Sequence, residues 1–210
     1  MGELVIYRSI GSRAFTALWL LEELGLPYRS DMRDVKEKAH QTPEYLAINP
    51  SGQVPMIDDG GVQVSECPAI CLYLADRYGY GALAPRIEEA ERGPYLKWTV
   101  YATAQLEPAK ATRNLGPDGY ASGWGAGWNA FPRVLEIIEQ ALKGQSFLLG
   151  ERFSAADVML GSTLAMGAVA GEYRPSPATA DYVARLRARP ACERAADLTW
   201  PPAVFGPTPS

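Results

Sequence analysis

Apolar and polar positions along this chain follow two periods, and the change of period divides it. Residues 3–8, ELVIYR, are β-prone and stop at the turn-forming SIGS, which predicts a first strand. From Ser12 onward Phe15, Leu18, Trp19, Leu21 and Leu24 recur at three- and four-residue steps until Gly25 and Pro27. That run with its stop predicts a helix. Tyr28 to Met32 reads as a second strand, and a polar stretch with Pro43 leads to a short helical turn at PEYLAI. VPMIDDGGVQV then reads as two strands joined at Asp58-Asp59-Gly60-Gly61, a hairpin. After it, apolar steps at Ile70, Leu72, Tyr73 and Leu74 predict a helix that Gly79 and Gly81 end. Residues 1–80 thus read β-α-β-α-β-β-α.

Strand patterns stop there. From Ile87 the spacing is helical, interrupted by GPDGYASGWGAGW (116–128) and YRPSP (173–177). GYGALAPR, with two glycines and a proline, has the composition of a linker. The pattern predicts a mixed α/β domain over 1–79, a linker over 80–87 and an all-helical domain over 88–200. A Pro-rich tail, 201–210, follows and is expected to lie on the surface.

Composition narrows the function. With 47% hydrophobic residues, 210 residues can fill one large core or two modest ones. Net charge is −4, and no basic cluster is interleaved with aromatics, so neither nucleic acid nor an anionic membrane is expected as a partner. The densest basic run, Arg185 to Pro190, reads as a solvated helix face. No segment approaches the ~18 apolar residues of a membrane span, and a cytoplasmic protein is expected. Cys67, Cys71 and Cys192 are too few, and odd in number, for a disulfide framework. Cys67 and Cys71 share one helix face at C-x₃-C spacing, but zinc needs two more soft ligands and the chain has one histidine, His40. Packing is the reading for all three thiols, and no metal is expected.

Two motifs carry local physics. Ser154 and Asp157 stand in the S-x-x-D relation of a capping box, with Phe153 placed to staple onto Val158. Pro55 opens the third strand, where its missing N–H is tolerated. On spacing alone an ordinary trans edge proline fits, whereas a cis bond leaves the Val54 main chain free to pair with an extended ligand.

The order of these pieces resembles the cytosolic glutathione transferases. ALWLLEELGLPY is similar to that family's first helix and second strand, and HQTPEYLAINPSGQVPMIDDG to its glutathione loop and cis-proline. SECPAICLYLADRYG resembles its third helix, and GERFSAADVML its capping motif, so the likeness spans roughly residues 4 to 190. The resemblance implies an α/β thioredoxin-like N-terminal domain plus an all-α C-terminal domain, acting as a homodimer. It implies glutathione as cosubstrate and a hydrophobic electrophile as the second substrate.

No serine-histidine-acid set, phosphate cradle or metal cluster is present, so if the chain is an enzyme its nucleophile is borrowed, and the resemblance implies that it is the glutathione thiol. A hydroxyl donor and a helix N-terminus can lower its pKa from ~8.5 by a unit or two. The resemblance puts that donor at the start of the first helix. Ser12 is the first choice and Ser9 the alternative, while a plain N-cap role for Ser12 stays open. Arg13 can add positive potential there. Tyr7 alternates with Val5 and reads as a packed strand residue. Because that stretch carries no cysteine, conjugation or thiol-dependent peroxide reduction is expected over disulfide exchange.

The remaining site residues are carried by the resemblance. Glu66 and Cys67 match the acidic-serine pair that receives the γ-glutamyl end, with Cys67 in place of serine. Val54 and Pro55 face the cysteinyl part, and His40 and Gln53 match positions near the glycyl carboxylate, while a solvated loop histidine and an ordinary exposed loop amide stay open for these two. Trp98, Tyr101 and Gln105 form a helical stripe. Tyr101 and Gln105 are the candidates for the electrophile, although core packing is the commoner explanation of such a stripe. Two rivals to the transferase remain: a non-catalytic glutathione-fold scaffold and a thiol oxidoreductase running on Cys67.

Overall fold

The computed structural model describes residues 2–113 and 127–200. The tail 201–210 and most of the Gly- and Trp-rich break at 116–128 lie outside the described residues. Contacts gather Met1–Tyr80 and the segment from Arg187 into one compact unit, and Gly81–Leu186 into a second.

The first unit follows the expected order: β1 Leu4–Arg8, α1 Ala14–Leu24, β2 Arg29–Met32, α2 Pro43–Ile48, β3 Met56–Asp59, β4 Val62–Ser65 and α3 Cys67–Tyr78. The strands form one sheet in the order β2-β1-β3-β4, parallel between β1 and β2 and antiparallel elsewhere. Ile6 faces Ile57 across the β1–β3 pair, and both are fully buried. Helix α1 is buried from Ala14 to Leu21, as the central helix of such a layer must be. Gly25 ends it at φ 62°, a conformation open to glycine without a Cβ clash.

A helix from the far end of the chain completes this unit. Helix α9, Pro190–Thr199 in chain order, packs on α1. Arg189 grips Glu23 with two nitrogens at 2.6 and 2.8 Å, and Arg194 meets Glu22 at 2.7 Å. Arg8 donates to the Leu198 carbonyl at 2.7 Å, and the Gly11 amide to that of Thr199 at 2.8 Å. These donors meet carbonyls that the last turn of a helix leaves without intrahelical partners. The last helix of the span expected at 88–200 therefore belongs with the first unit. The expected solvated face of the basic run is corrected in part, because Arg189 is half-buried against Glu23.

The second unit holds α4 Arg92–Tyr101, α5 Glu107–Thr112, α6 Phe131–Leu142, α7 Ala155–Val169 and α8 Pro177–Arg187. Between α4 and α5 the helix runs through a π turn at Ala102–Leu106. Helix α7 is buried on nearly every side, and Gly161 admits Leu186, whose Cδ1 leaves no room for a Cβ there. The capping box is present in both halves. Asp157 Oδ2 accepts from the Ser154 amide at 2.9 Å, and Oδ1 from the Leu148 amide at 2.8 Å and the Tyr182 hydroxyl at 2.9 Å. Burial pushes the Asp157 carboxyl up to about 6 against the pull of these donors. Phe153 packs edge-on against Phe147, at 5.5 Å between ring centres.

Candidate functional site

The loop from β1 to α1 presents two serines in different states. Ser9 is buried, and its Oγ accepts from the Val35 amide at 3.3 Å. Ser12 is half-buried; its Oγ donates to the Ser9 carbonyl at 2.7 Å and accepts from the Ala14 amide at 3.2 Å. Arg13, in helical conformation, is the N-cap of α1, so Ser12 sits one residue ahead of the cap position expected for it. It still satisfies an amide of the first turn, in the manner of a serine turn. Tyr7 is packed as expected: its ring lies 5.6 Å from that of Tyr45, and burial, followed by Asp31, raises its hydroxyl pKa.

A second loop sets the main chain of Val54. Its preceding residue is clamped, since the Gln53 carbonyl accepts from Tyr45 Oη at 2.6 Å and Asn49 Nδ2 at 2.7 Å. Gln41 Nε2 donates to the Gly52 carbonyl at 2.7 Å, and Gly52 holds φ +58° with no room for a Cβ beside that amide. The Val54–Pro55 bond is cis. The β1–β3 ladder begins at the pair Tyr7 and Met56, so Val54 stands outside it, with its amide and carbonyl unpaired among the described residues. The Gln53 side chain is exposed. His40 lies on the 3₁₀ turn Ala39–Gln41, its Nδ1 buried and without a hydrogen-bond partner among the described residues.

Glu66 and Cys67 form the entry to α3. Glu66 adopts φ 70° and ψ 120°, a backbone conformation that side chains disfavour and that concentrates at binding sites. Its side chain is exposed while Cys67 is buried. The Cys67 thiol points at the Arg13 carbonyl at 3.8 Å, a weak contact that ties the start of α3 to the start of α1. The amides opening α3 thereby come beside the Ser12 loop, an arrangement suited to an anion. Burial raises the thiol pKa of Cys71 and pushes that of Cys192 up to about 12, which leaves both as packing residues.

The strand edge at Val54 and the start of α3 beside the Ser12 loop suit an extended peptide with a carboxylate at one end. Residues 3–76 match the family model described as glutathione S-transferase, N-terminal domain, and residues 89–194 the one described as glutathione S-transferase, C-terminal domain. The chain belongs to the glutathione S-transferase family. As a member of that family it is a glutathione transferase enzyme, and the scaffold and Cys67 oxidoreductase readings are not favoured.

Glutathione S-transferase F10 of Arabidopsis thaliana is 30% identical over 166 residues, 74% of this chain and 76% of its own. A probable glutathione S-transferase of Oryza sativa subsp. japonica is 28% identical over 88% of this chain and 91% of its own. Among solved structures, a glutathione transferase of Phanerochaete chrysosporium in complex with oxidized glutathione aligns with a TM-score of 0.77 and 27% identity, covering 94% of this chain and 96% of that one. No helix among the described residues is long and apolar enough to cross a membrane.

In this glutathione S-transferase the structure brings Ser12, Val54, Pro55, Glu66 and Cys67 into one unit with His40 and Gln53. Tyr101 and Gln105 belong to the other unit, on either side of the start of the π turn. Tyr101 is buried, 5.0 Å from Trp98 between ring centres, and its hydroxyl has no hydrogen-bond partner among the described residues. Gln105 is engaged instead, donating to the Gly127 carbonyl at 3.0 Å and accepting from the Asn129 amide at 3.0 Å. The positioning residues Gln41, Tyr45 and Asn49 escaped the sequence reading. The available signal was Asn49 before a proline in NPSGQ, a residue pair that starts turns.

Proposed function

We propose that this transferase uses Ser12 to hold the glutathione thiolate. The observation that carries the reading is the contrast between the two serines: Ser9 is buried on the Val35 amide, whereas Ser12 is reachable and stands at the first amides of α1. A hydroxyl donor and a helix N-terminus both favour the anionic sulfur. The thiolate then attacks an electrophilic carbon, forming a C–S bond while the leaving group departs with the electron pair.

The other assignments rest on the Val54 main chain and on the start of α3, which Cys67 ties to the start of α1 beside that serine. The Val54 main chain takes the cysteinyl residue as an added strand, held in place by the clamp on Gln53 and by Pro55. The amides at Cys67 receive the γ-glutamyl carboxylate and Glu66 its ammonium group, a charge-assisted pair. His40 and the exposed Gln53 amide serve the glycyl carboxylate. Tyr101, whose hydroxyl has no described partner, contacts the hydrophobic electrophile, and Gln105 supports that wall by holding residues 127–129. A homodimer and a role in detoxification complete the reading, with a reducing, cytoplasmic setting that accords with three free thiols.

Retention on immobilised glutathione, followed by a conjugation assay with an aryl halide, tests it. Retention with turnover is expected. Retention without turnover would contradict the catalytic assignment, and no retention would contradict the site.

A further inference from the structure

Arg8 is the last residue of β1, and it is only 9% exposed, although arginines are rarely buried unless paired. Among the described residues it makes no ion pair. Its Nε donates to Ser30 Oγ and its Nη1 to the Leu198 carbonyl at 2.7 Å, so the charge is met by the last turn of α9, the negative pole of that helix. Burial pulls its pKa below the ordinary arginine value. A charge taken out of water adds little stability over an aliphatic side chain of similar volume. What the guanidinium adds is a fixed position, because its planar fork holds a strand side chain and a helix carbonyl at once.

That position bears on Ser12. Ser9, next along the chain, lends its carbonyl to the Ser12 hydroxyl at 2.7 Å, and the Gly11 amide, one residue before Ser12, donates to the Thr199 carbonyl at 2.8 Å. The turn carrying both serines is thus fastened on each side to consecutive carbonyls of α9. Helix α9 is itself held to α1 by Arg189 on Glu23 and Arg194 on Glu22, and Trp200 sets its ring edge-on to Phe15 of α1, 6.4 Å between centres. Loop, α1 and α9 form one closed frame inside the first unit.

We infer that Arg8 is a positioning residue of the transfer reaction: it fastens the Ser9–Ser12 loop to the C-terminal end of α9 and so aims the Ser12 hydroxyl at the sulfur. The inference rests on Ser12 as the holder of the thiolate. Arg8 acts through the loop, since its own donors are turned to Ser30 and Leu198. A displacement of about 1 Å at a reacting group is enough to cost roughly 10²-fold in rate.

Arg8→Lys keeps the charge and loses the fork, while Arg8→Met loses both. The full-length variants are titrated for the thiolate absorbance of bound glutathione and assayed for conjugation of an aryl halide, beside wild type and Ser12→Ala. Both Arg8 variants are expected to raise the bound thiol pKa by about half a unit and to lower kcat about tenfold, with KM for glutathione within about twofold. A wild-type titration and kcat in both, with only the urea midpoint lowered, would make Arg8 a residue of the fold and overturn the inference. Arg8→Lys matching wild type while Arg8→Met does not would overturn it too, by making Arg8 a charge and not a fastening. Ser30→Ala, on the exposed edge strand β2, removes one acceptor of Arg8 and leaves the loop untouched. It is expected to move the titration in the same direction, and an unchanged curve there overturns the inference if the Arg8 variants do not fold. An unshifted titration in Ser12→Ala overturns the Ser12 reading and this inference with it, whereas a shift in Ser12→Ala without one in the Arg8 variants overturns this inference alone.

Discussion

The Ser12 hydroxyl donates to the carbonyl of Ser9 at 2.7 Å, so the two serines of the β1–α1 loop are coupled through the main chain of one and the side chain of the other. A hydroxyl has one proton to give. For Ser12 to serve a thiolate it must turn that proton from the Ser9 carbonyl to the sulfur, a rotation that leaves its acceptor role toward Ala14 intact. The Ser9 side chain takes no part in this exchange.

Ser9→Ala is therefore expected to act on stability alone. Losing the acceptor for the Val35 amide should lower unfolding free energy by about 1 kcal/mol, read from urea denaturation. The pKa of bound glutathione should stay within a few tenths of a unit. A large upward shift would move the thiolate role from Ser12 to Ser9.

Cys67→Ser restores a hydroxyl at the opening of α3. A neutral hydrogen bond has a net worth of about 1 kcal/mol, so glutathione should bind roughly fivefold tighter by calorimetry. Unchanged affinity would mean that the backbone amides alone receive the γ-glutamyl carboxylate.

Glu66 holds φ 70° at a cost of about 1–3 kcal/mol for a residue with a side chain. Glu66→Gly relieves that conformation and is expected to keep or slightly raise the thermal midpoint while weakening glutathione binding severalfold. A clear loss of stability would show that the Glu66 side chain serves the fold and not the ligand.

Asp157 gives a pH dependence with a definite sign. Its carboxyl is raised from 3.8 to about 6 by burial, so the folded state binds the proton more tightly than the unfolded chain. The stability this group contributes is full below about pH 4 and lost as pH rises through about 6, on the order of 3 kcal/mol in all. The stability difference of wild type minus Asp157→Asn should fall by about that amount between pH 4 and 7 in urea titrations. A constant or rising difference would contradict the burial-dominated carboxyl.

The strand and helix order was legible because each element is local: period-two runs such as ELVIYR and the three-four steps of α1 need no distant partner to be read. The same holds for the Ser154–Asp157 box, whose two members lie one helical turn apart. Contacts between distant residues were not legible. Arg189 and Glu23 are 166 positions apart, and nothing in RLRARP distinguishes a solvated arginine from one clamped on α1. The clamp of Tyr45 and Asn49 on the Gln53 carbonyl was missed because side-chain to main-chain bonds leave no period in the sequence. The one-residue displacement of Ser12 from the cap has a similar cause: Arg13 already holds helical dihedrals, and a serine turn ahead of it looks the same in sequence as an N-cap.

The central claim is that Ser12 holds the thiolate, and the thiolate absorbance of bound glutathione titrated against pH in wild type and Ser12→Ala tests it most directly. Ser12→Ala should raise the bound thiol pKa by about one unit, equivalent to ~1.4 kcal/mol, with glutathione affinity within a few-fold of wild type. A superimposable titration curve in Ser12→Ala, with glutathione still bound, would contradict the account.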